Sequence, residues 1–252
     1  MSERTPGTRT QVHEIAIDAT VEAVWAAITD AGELTRWFVE TAKVEPGVGG
    51  TFVISWGGDE SGGSTIEVWE PNRRLRVALT PFDMGAAKGT RESPIVEEYT
   101  IERRDGKTVL RLVQSNIPNA PEWDGFYDGT NSGWESFFRT LRHYLERHRG
   151  KPRATLKVVG PLNGSLEDAW SRLVEAVPGT VAFSQPPTQF EAIVPEFDDA
   201  YFAHTMSCGG GGSFVYSLLS LYGKTPDEVA AIRARWEPLV RKALGMEVDA
   251  LG

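Results

Sequence analysis

Apolar and polar residues alternate from Gln11 to Asp18, with His13, Ile15 and Ile17 on one side. That pattern predicts a strand with one buried face. The period then changes: Val21, Val24, Trp25 and Ile28 form one stripe of a helix that Thr20 can cap. A second short helix is expected over Ala31 to Trp37. Alternation returns with Phe52, Ile54 and Trp56, then with Ile66 and Val68 against Thr65, Glu67 and Trp69. It continues with Leu75, Val77 and Leu79 against Arg74, Arg76 and Ala78. Turn signals separate these runs: Pro46 to Gly50, the glycine-rich hairpin loop Gly57 to Gly63, and Pro71-Asn72. After a longer loop, Pro81 to Pro94, the runs Ile95 to Arg104 and Lys107 to Asn116 meet at Asp105-Gly106, a two-residue hairpin signal. The expectation is an antiparallel meander.

From Trp134 the period is 3.6: Trp134, Phe137, Phe138, Leu141, Tyr144, Leu145 and His148 share helical spacing. This helix should run to about Arg149 and stop before Gly150 and Pro152. Gly125, Gly129 and Gly133 recur every four residues. Either they lie on one helix face that leaves room for something, or the segment is a loop and the helix starts near Thr130. The remainder of the chain reads as a reduced copy. Ala154 to Val159 is strand-like, and Gly164 to Trp170 repeats the cap-and-helix pattern of Thr20 to Trp25. Strand-like runs follow at Phe190 to Val194, Tyr201 to Met206 and Phe214 to Leu221. Thr225-Pro226-Asp227-Glu228 is a capping box. Trp236, Glu237 and Arg241 in the last helix repeat the spacing of Trp134, Glu135 and Arg139, and Pro238 should kink it. Two domains are expected, residues 10–149 and 153–246, joined near Gly150.

Composition narrows the chemistry. Among 252 residues there is one cysteine, Cys208, so an internal disulfide and a cysteine-based zinc site are excluded. A lone thiol beside small residues reads as buried or incidental. The four histidines, His13, His143, His148 and His204, show no ligand spacing, and His143 and His148, five apart, are expected on different helix faces. No metal and no cofactor are expected. Gly209 to Gly212 lacks the Lys-Ser/Thr and the following helix of a phosphate loop and reads as a flexible turn. The net charge of −9 argues against nucleic acid. The cations between Arg139 and Arg153 read as a solvated helix end. No apolar run approaches the ~20 residues of a membrane span. Met1 to Thr10 is polar, lacks the apolar core of a secretion signal and is expected to be a frayed tail. A cytoplasmic setting follows from these readings.

Eight tryptophans are many for this length. Trp25 and Trp170 sit on helix stripes and read as core. Trp37-Phe38 ends the second helix, and Trp56 ends an inward strand face. Tyr99 shares a face with Ile95, Glu97 and Ile101, and Gln114 with Leu110 and Leu112. A sheet curved around one helix can enclose an apolar cavity with a few fixed polar groups. Glu97, Tyr99 and Gln114 are the candidates for those groups; each could instead lie at a solvent-open strand end.

The chain resembles the activator-of-heat-shock-protein-90-ATPase homologue family, within the START and birch-pollen-allergen helix-grip superfamily. The matching stretches are Ile15 to Asp30, Leu34-Thr35-Arg36-Trp37-Phe38, Val48-Gly49-Gly50-Thr51-Phe52 and Gly133-Trp134. The resemblance implies an α+β helix-grip fold, an antiparallel sheet around a long C-terminal helix, here followed by a smaller, degenerate α+β repeat. It also implies binding of a hydrophobic small molecule, lipid-like or polycyclic, as carrier or sensor. A chaperone-interacting module is the alternative, and cyclase- or aromatase-type chemistry through Glu97 or Tyr99 is a third. A chaperone contact or self-association are the further partners considered. The candidate ligand-binding residues are Trp37, Phe38, Phe52, Ile54, Trp56, Val77, Glu97, Tyr99, Leu112, Gln114, Phe126, Gly129, Gly133 and Trp134. No catalytic residue is assigned.

Overall fold

The computed structural model describes residues 7–57, 63–79, 83–84, 87–88, 94–162, 164–209 and 212–246. The chain divides into two compact units, residues 1–150 and 151–252. Each is an α+β fold with an antiparallel sheet and a C-terminal helix.

The first unit begins with β1 (Thr8–Ile17), α1 (Val21–Thr29) and α2 (Ala31–Trp37). Thr8 to Thr10 belong to the strand, with Thr8 opposite Pro118, and are not a frayed tail; Met1 to Pro6 lie outside the described residues. Thr20 caps α1 by accepting from the Ala23 amide. Asp30 ends α1 and caps α2, accepting from the Glu33 amide at 2.8 Å, so the two helices turn sharply at one residue. Trp37 Nε1 donates to Ala27 O at 2.8 Å and ties α2 to α1.

The strands β2 (Thr41–Val44), β3 (Thr51–Ser55), β4 (Ser64–Glu70) and β5 (Arg74–Ala78) follow. In the Gly57–Gly63 loop, residues 58–62 lie outside the described residues. A small ladder, β6 (Asp83–Met84) with β7 (Ala87–Lys88), occupies the stretch expected to be a plain loop. β8 (Val96–Arg104) and β9 (Lys107–Pro118) are joined at Asp105-Gly106, both at positive φ as a type I′ hairpin turn requires. The seven-stranded order is β1-β9-β8-β5-β4-β3-β2, antiparallel throughout.

In β4 a register shift between Ile66 and Val68 corrects the expected alternation. Ile66 lies opposite Val77, and Trp69 lies opposite Leu75, so Ile66 and Trp69 share the inner face while Val68 joins Arg76 outside. Trp69 packs edge-on against Trp25, ring centroids 5.1 Å apart. Outside, Arg74 and Arg76 both meet Glu98, and Arg76 also meets Glu67.

α3 (Asp124–His143) covers the inner face, burying Trp134, Phe138 and Leu141. It contains the three glycines, so the loop reading is corrected. Beside these glycines the space is open within the first unit: a Cβ at Gly125 or Gly129 would meet nothing within 4 Å, and at Gly133 the nearest atom is Phe137 Cε2 at 3.8 Å. The helix continues as a π turn, Tyr144–His148. Its i→i+5 repeat brings His143 and His148 together, rings 5.1 Å apart and both buried, where a 3.6 repeat would separate them.

The second unit comprises β10 (Arg153–Pro161), α4 (Leu166–Ala176), β11 (Thr180–Gln185), β12 (Gln189–Val194), β13 (Ala200–Gly209), β14 (Gly212–Tyr222) and α5 (Pro226–Ala243). Its sheet order is β10-β14-β13-β12-β11. Ser165 caps α4, and the Thr225–Glu228 capping box opens α5, which continues past Pro238 to Ala243. Trp236 packs against Phe202 and Phe197. Gly210 and Gly211, in the stretch expected to be a flexible turn, lie outside the described residues, as does the side chain of Cys208. In both units the first strand pairs with the last, and the remaining strands follow in reverse order of sequence.

Candidate functional site

The register of the first sheet arranges its inner side chains in rungs, because directly opposed residues point to the same face. One rung reads Ile15, Leu110, Ile101 and is apolar. The next reads His13, Leu112, Tyr99, Leu75, Trp69. The third reads Gln11, Gln114, Glu97, Val77, Ile66, placing three polar side chains in succession beneath a helix.

Above Glu97 and Tyr99 lies a cavity roofed by Trp134 and Phe138 of α3. It is closed at one side by Ile28, Leu34, Trp37 and Phe38 and at another by Phe52 and Ile54 of β3. Its volume is about 20 Å³, room for about one water molecule. The cavity expected from the sequence is present but small, because aromatic side chains fill most of the space. Phe38 stacks on Trp37, meets Phe137 edge-on at 4.8 Å and Trp56 edge-on at 5.2 Å, and lies tilted against Trp134 at 5.6 Å. Trp56 is 44% exposed, so this side of the interior is closed toward solvent by Phe38, Phe137 and Trp56.

Glu97 is the one carboxyl in the lining. Tyr99 donates its hydroxyl to Glu97 Oε2 at 2.9 Å, and Gln114 Nε2 donates to Glu97 Oε1 at 2.9 Å. Burial pushes the Glu97 carboxyl above its ordinary pKa, against the opposing pull of these two donors. Burial, reinforced by Glu97, raises the Tyr99 phenol well above its usual value, so it stays protonated as a donor. Gln114 is buried and its Oε1 has no hydrogen-bond partner. Farther along the rung, Gln11 Nε2 donates to Tyr127 O at 2.7 Å and to Thr130 Oγ1 at 3.0 Å, fastening β1 to α3. The arrangement can hold a proton on Glu97 and offer oxygen acceptors inside an apolar enclosure.

The sequence-derived candidates divide accordingly. Trp37, Phe38, Phe52, Ile54, Glu97, Tyr99 and Trp134 line the cavity, and Gln114 reaches it through Glu97. Val77 and Leu112 are core residues of the sheet beside it, and Trp56 is at its outer closure. Phe126 is elsewhere, edge-on to Trp123 in a small cluster with Ile95 and Ile117. Gly129 is exposed and Gly133 does not line the cavity, because the glycine-bearing half of α3 is turned away from it. Ile28, Leu34 and Phe138 were missed, although the helical spacing of Ile28 with Trp25 and of Phe138 with Trp134 carries the signal.

A second, open groove of about 350 Å³ runs between β1 and α3, walled by His13, Glu14, Glu135, Arg139 and Arg142. Burial lowers the His13 pKa there, and Glu135 opposes the shift. Among the described residues no three His, Cys, Asp or Glu side chains are grouped as metal ligands, and no helix is long and apolar enough to cross a membrane.

The fold and its enclosed carboxyl define an α+β protein with an aromatic interior under its long helix. The family described as Activator of Hsp90 ATPase homolog 1-like protein matches residues 18–146, and the chain belongs to that family. Protein MLL2253 from Mesorhizobium loti is 30% identical, with 55% of this chain and 97% of that one covered and a TM-score of 0.46. The Aha1 dimer from Colwellia psychrerythraea is 24% identical over 55% of this chain and 96% of its own, TM-score 0.42. DynU16, from the dynemicin biosynthetic locus, is 18% identical over 94% of this chain and 96% of its own, TM-score 0.45. No curated protein matches the chain.

Proposed function

We propose that residues 10–149 bind a hydrophobic small molecule, lipid-like or polycyclic, between α3 and the sheet, as carrier or sensor. The observation that carries this reading is a single carboxyl, Glu97, enclosed among aromatic and aliphatic side chains. A plain core has no use for such a group, which costs free energy to bury, whereas ligand sites are apolar with a few fixed polar groups. With only about 20 Å³ free, a ligand enters by displacing Phe38, Phe137 and Trp56 outward. The gain is apolar area removed from water, about 25 cal/mol per Å², less the cost of moving those rings.

Residues 153–246 are, in this proposal, a reduced second copy of the grip, supported by the shared strand order and the recurring Trp, Glu and Arg of α3 and α5. A cytoplasmic setting belongs to the same proposal and is supported by the single cysteine.

Isothermal titration calorimetry with 1-dodecanol and with naringenin tests the reading. Saturable one-to-one binding by either is expected, and its loss in Ile54→Trp, which fills the cavity. The absence of binding by both, together with no small molecule in native mass spectra of the purified protein, would count against it. The family's own name favours a second reading, contact with a chaperone ATPase. Stimulation of a bacterial Hsp90 ATPase by this chain would support it, and an unchanged rate at excess protein would argue against it.

A further inference from the structure

We infer that the molecule taken into this interior presents a hydrogen-bond donor, a hydroxyl or a protonated amine, to the oxygens of Glu97 and Tyr99. The inference rests on the reading of the interior as a binding site. The argument is a count of protons and lone pairs. Tyr99 has one hydroxyl proton, and it is given to Glu97 Oε2. In its ionised form Glu97 receives that proton's hydrogen bond and a second from Gln114, one on each oxygen, so both oxygens act as acceptors. A carboxylate has about four lone-pair sites, so about two are left over, and the Tyr99 oxygen retains its own.

Behind them Gln114 Oε1 is a further buried acceptor with no partner. With Glu97 ionised, the oxygens of Glu97 and Tyr99 thus offer acceptors and have no proton left to give, while the indole N–H of Trp134 is a separate group in the lining. A carbonyl or ether entering here would meet oxygen with oxygen; an O–H or N–H would complete the set. The free volume of about 20 Å³ beside Glu97 suits a group of that size, a hydroxyl or ammonium head, with the apolar remainder in the place of the displaced rings.

The test uses the full chain and three probes of matched shape: 2-naphthol, 1-naphthylmethylammonium and 2-acetonaphthone. Affinities are measured by calorimetry at pH 7. At least one donor probe is expected to bind about tenfold more tightly than the ketone, the factor that one unpaired buried polar group produces. A tighter naphthol identifies a neutral donor, and a tighter ammonium identifies a cation paired with the carboxylate; both support the inference.

In Glu97→Gln, which supplies an N–H of its own, the preference should shrink or reverse. In Tyr99→Phe, which frees Glu97 Oε2, it should grow; this second variant decides the matter if the first does not fold. A ketone that binds as tightly as both donors overturns the inference and leaves the binding site standing. A donor preference unchanged in both variants also overturns it, because the preference then arises elsewhere. Failure of all three probes to bind removes the site reading and the inference together.

Discussion

Glu97 is desolvated because β8 is an inner strand, paired with β5 and β9, and residue 97 falls on its inner face opposite Val77 and Gln114. With its carboxyl held above the ordinary pKa, the folded chain keeps a proton that the unfolded chain releases near 4.5. Stability therefore falls as pH rises from 4.5 toward the folded-state value, with a limiting slope of roughly 1 kcal/mol per pH unit. Urea unfolding of Glu97→Gln should lack that component, so the variant gains relative to the parent as pH rises above 4.5. His204 shows the opposite sign. It is hydrogen-bonded to Ser217 at 2.5 Å, and burial lowers its pKa from 6.5 to about 3. Between those values the unfolded chain binds a proton that the folded chain refuses, so stability is full above 6.5 and declines as pH falls toward 3. Hydrogen exchange of the β13 and β14 amides, corrected for intrinsic rates, should show protection lost from pH 7 to pH 4. His204→Gln should remove that dependence.

Along the elements, local rules decided most outcomes. Asp105-Gly106 fixed the β8–β9 hairpin, and the caps at Thr20, Ser165 and Thr225 each open a helix as their residue types require. Thr225→Ala should cost about 1 kcal/mol by removing the capping box, measured by chemical unfolding. Gly129→Ala should stabilise the chain by about 0.5–1 kcal/mol, because the methyl enters open space and the helix loses a glycine; destabilisation in chemical unfolding would contradict this. What could not be read from pattern lies where a ladder departs from its period. The extra residue in β4 moves Trp69 inward, and the π turn unites His143 with His148. β11 escaped notice because its residues are mostly exposed and show no burial alternation.

For the whole molecule, the strand order repeats between the two units while the lengths differ, and the internal likeness of Trp134 to Arg139 and Trp236 to Arg241 marks both long helices. Half of the candidate site was legible because strand parity and helix spacing say which side chains face inward: Phe52, Ile54, Glu97, Tyr99 and Trp134 line one cavity. Parity does not give the rotation of α3 about its own axis, so Gly129, Gly133 and Phe126 were assigned to a face that points elsewhere. Nor does it give volume, which depends on how Phe38, Phe137 and Trp134 interlock. The central claim is that this interior opens to admit an apolar molecule. Methyl-resolved NMR during titration with 2-naphthol tests it most directly. Saturable shifts at the Ile28, Leu34 and Ile54 methyls, with intermolecular NOEs from the naphthalene protons to them, are the result expected. Shifts confined to exposed methyls such as Val12 and Val48, with the interior unmoved at saturation, would contradict it.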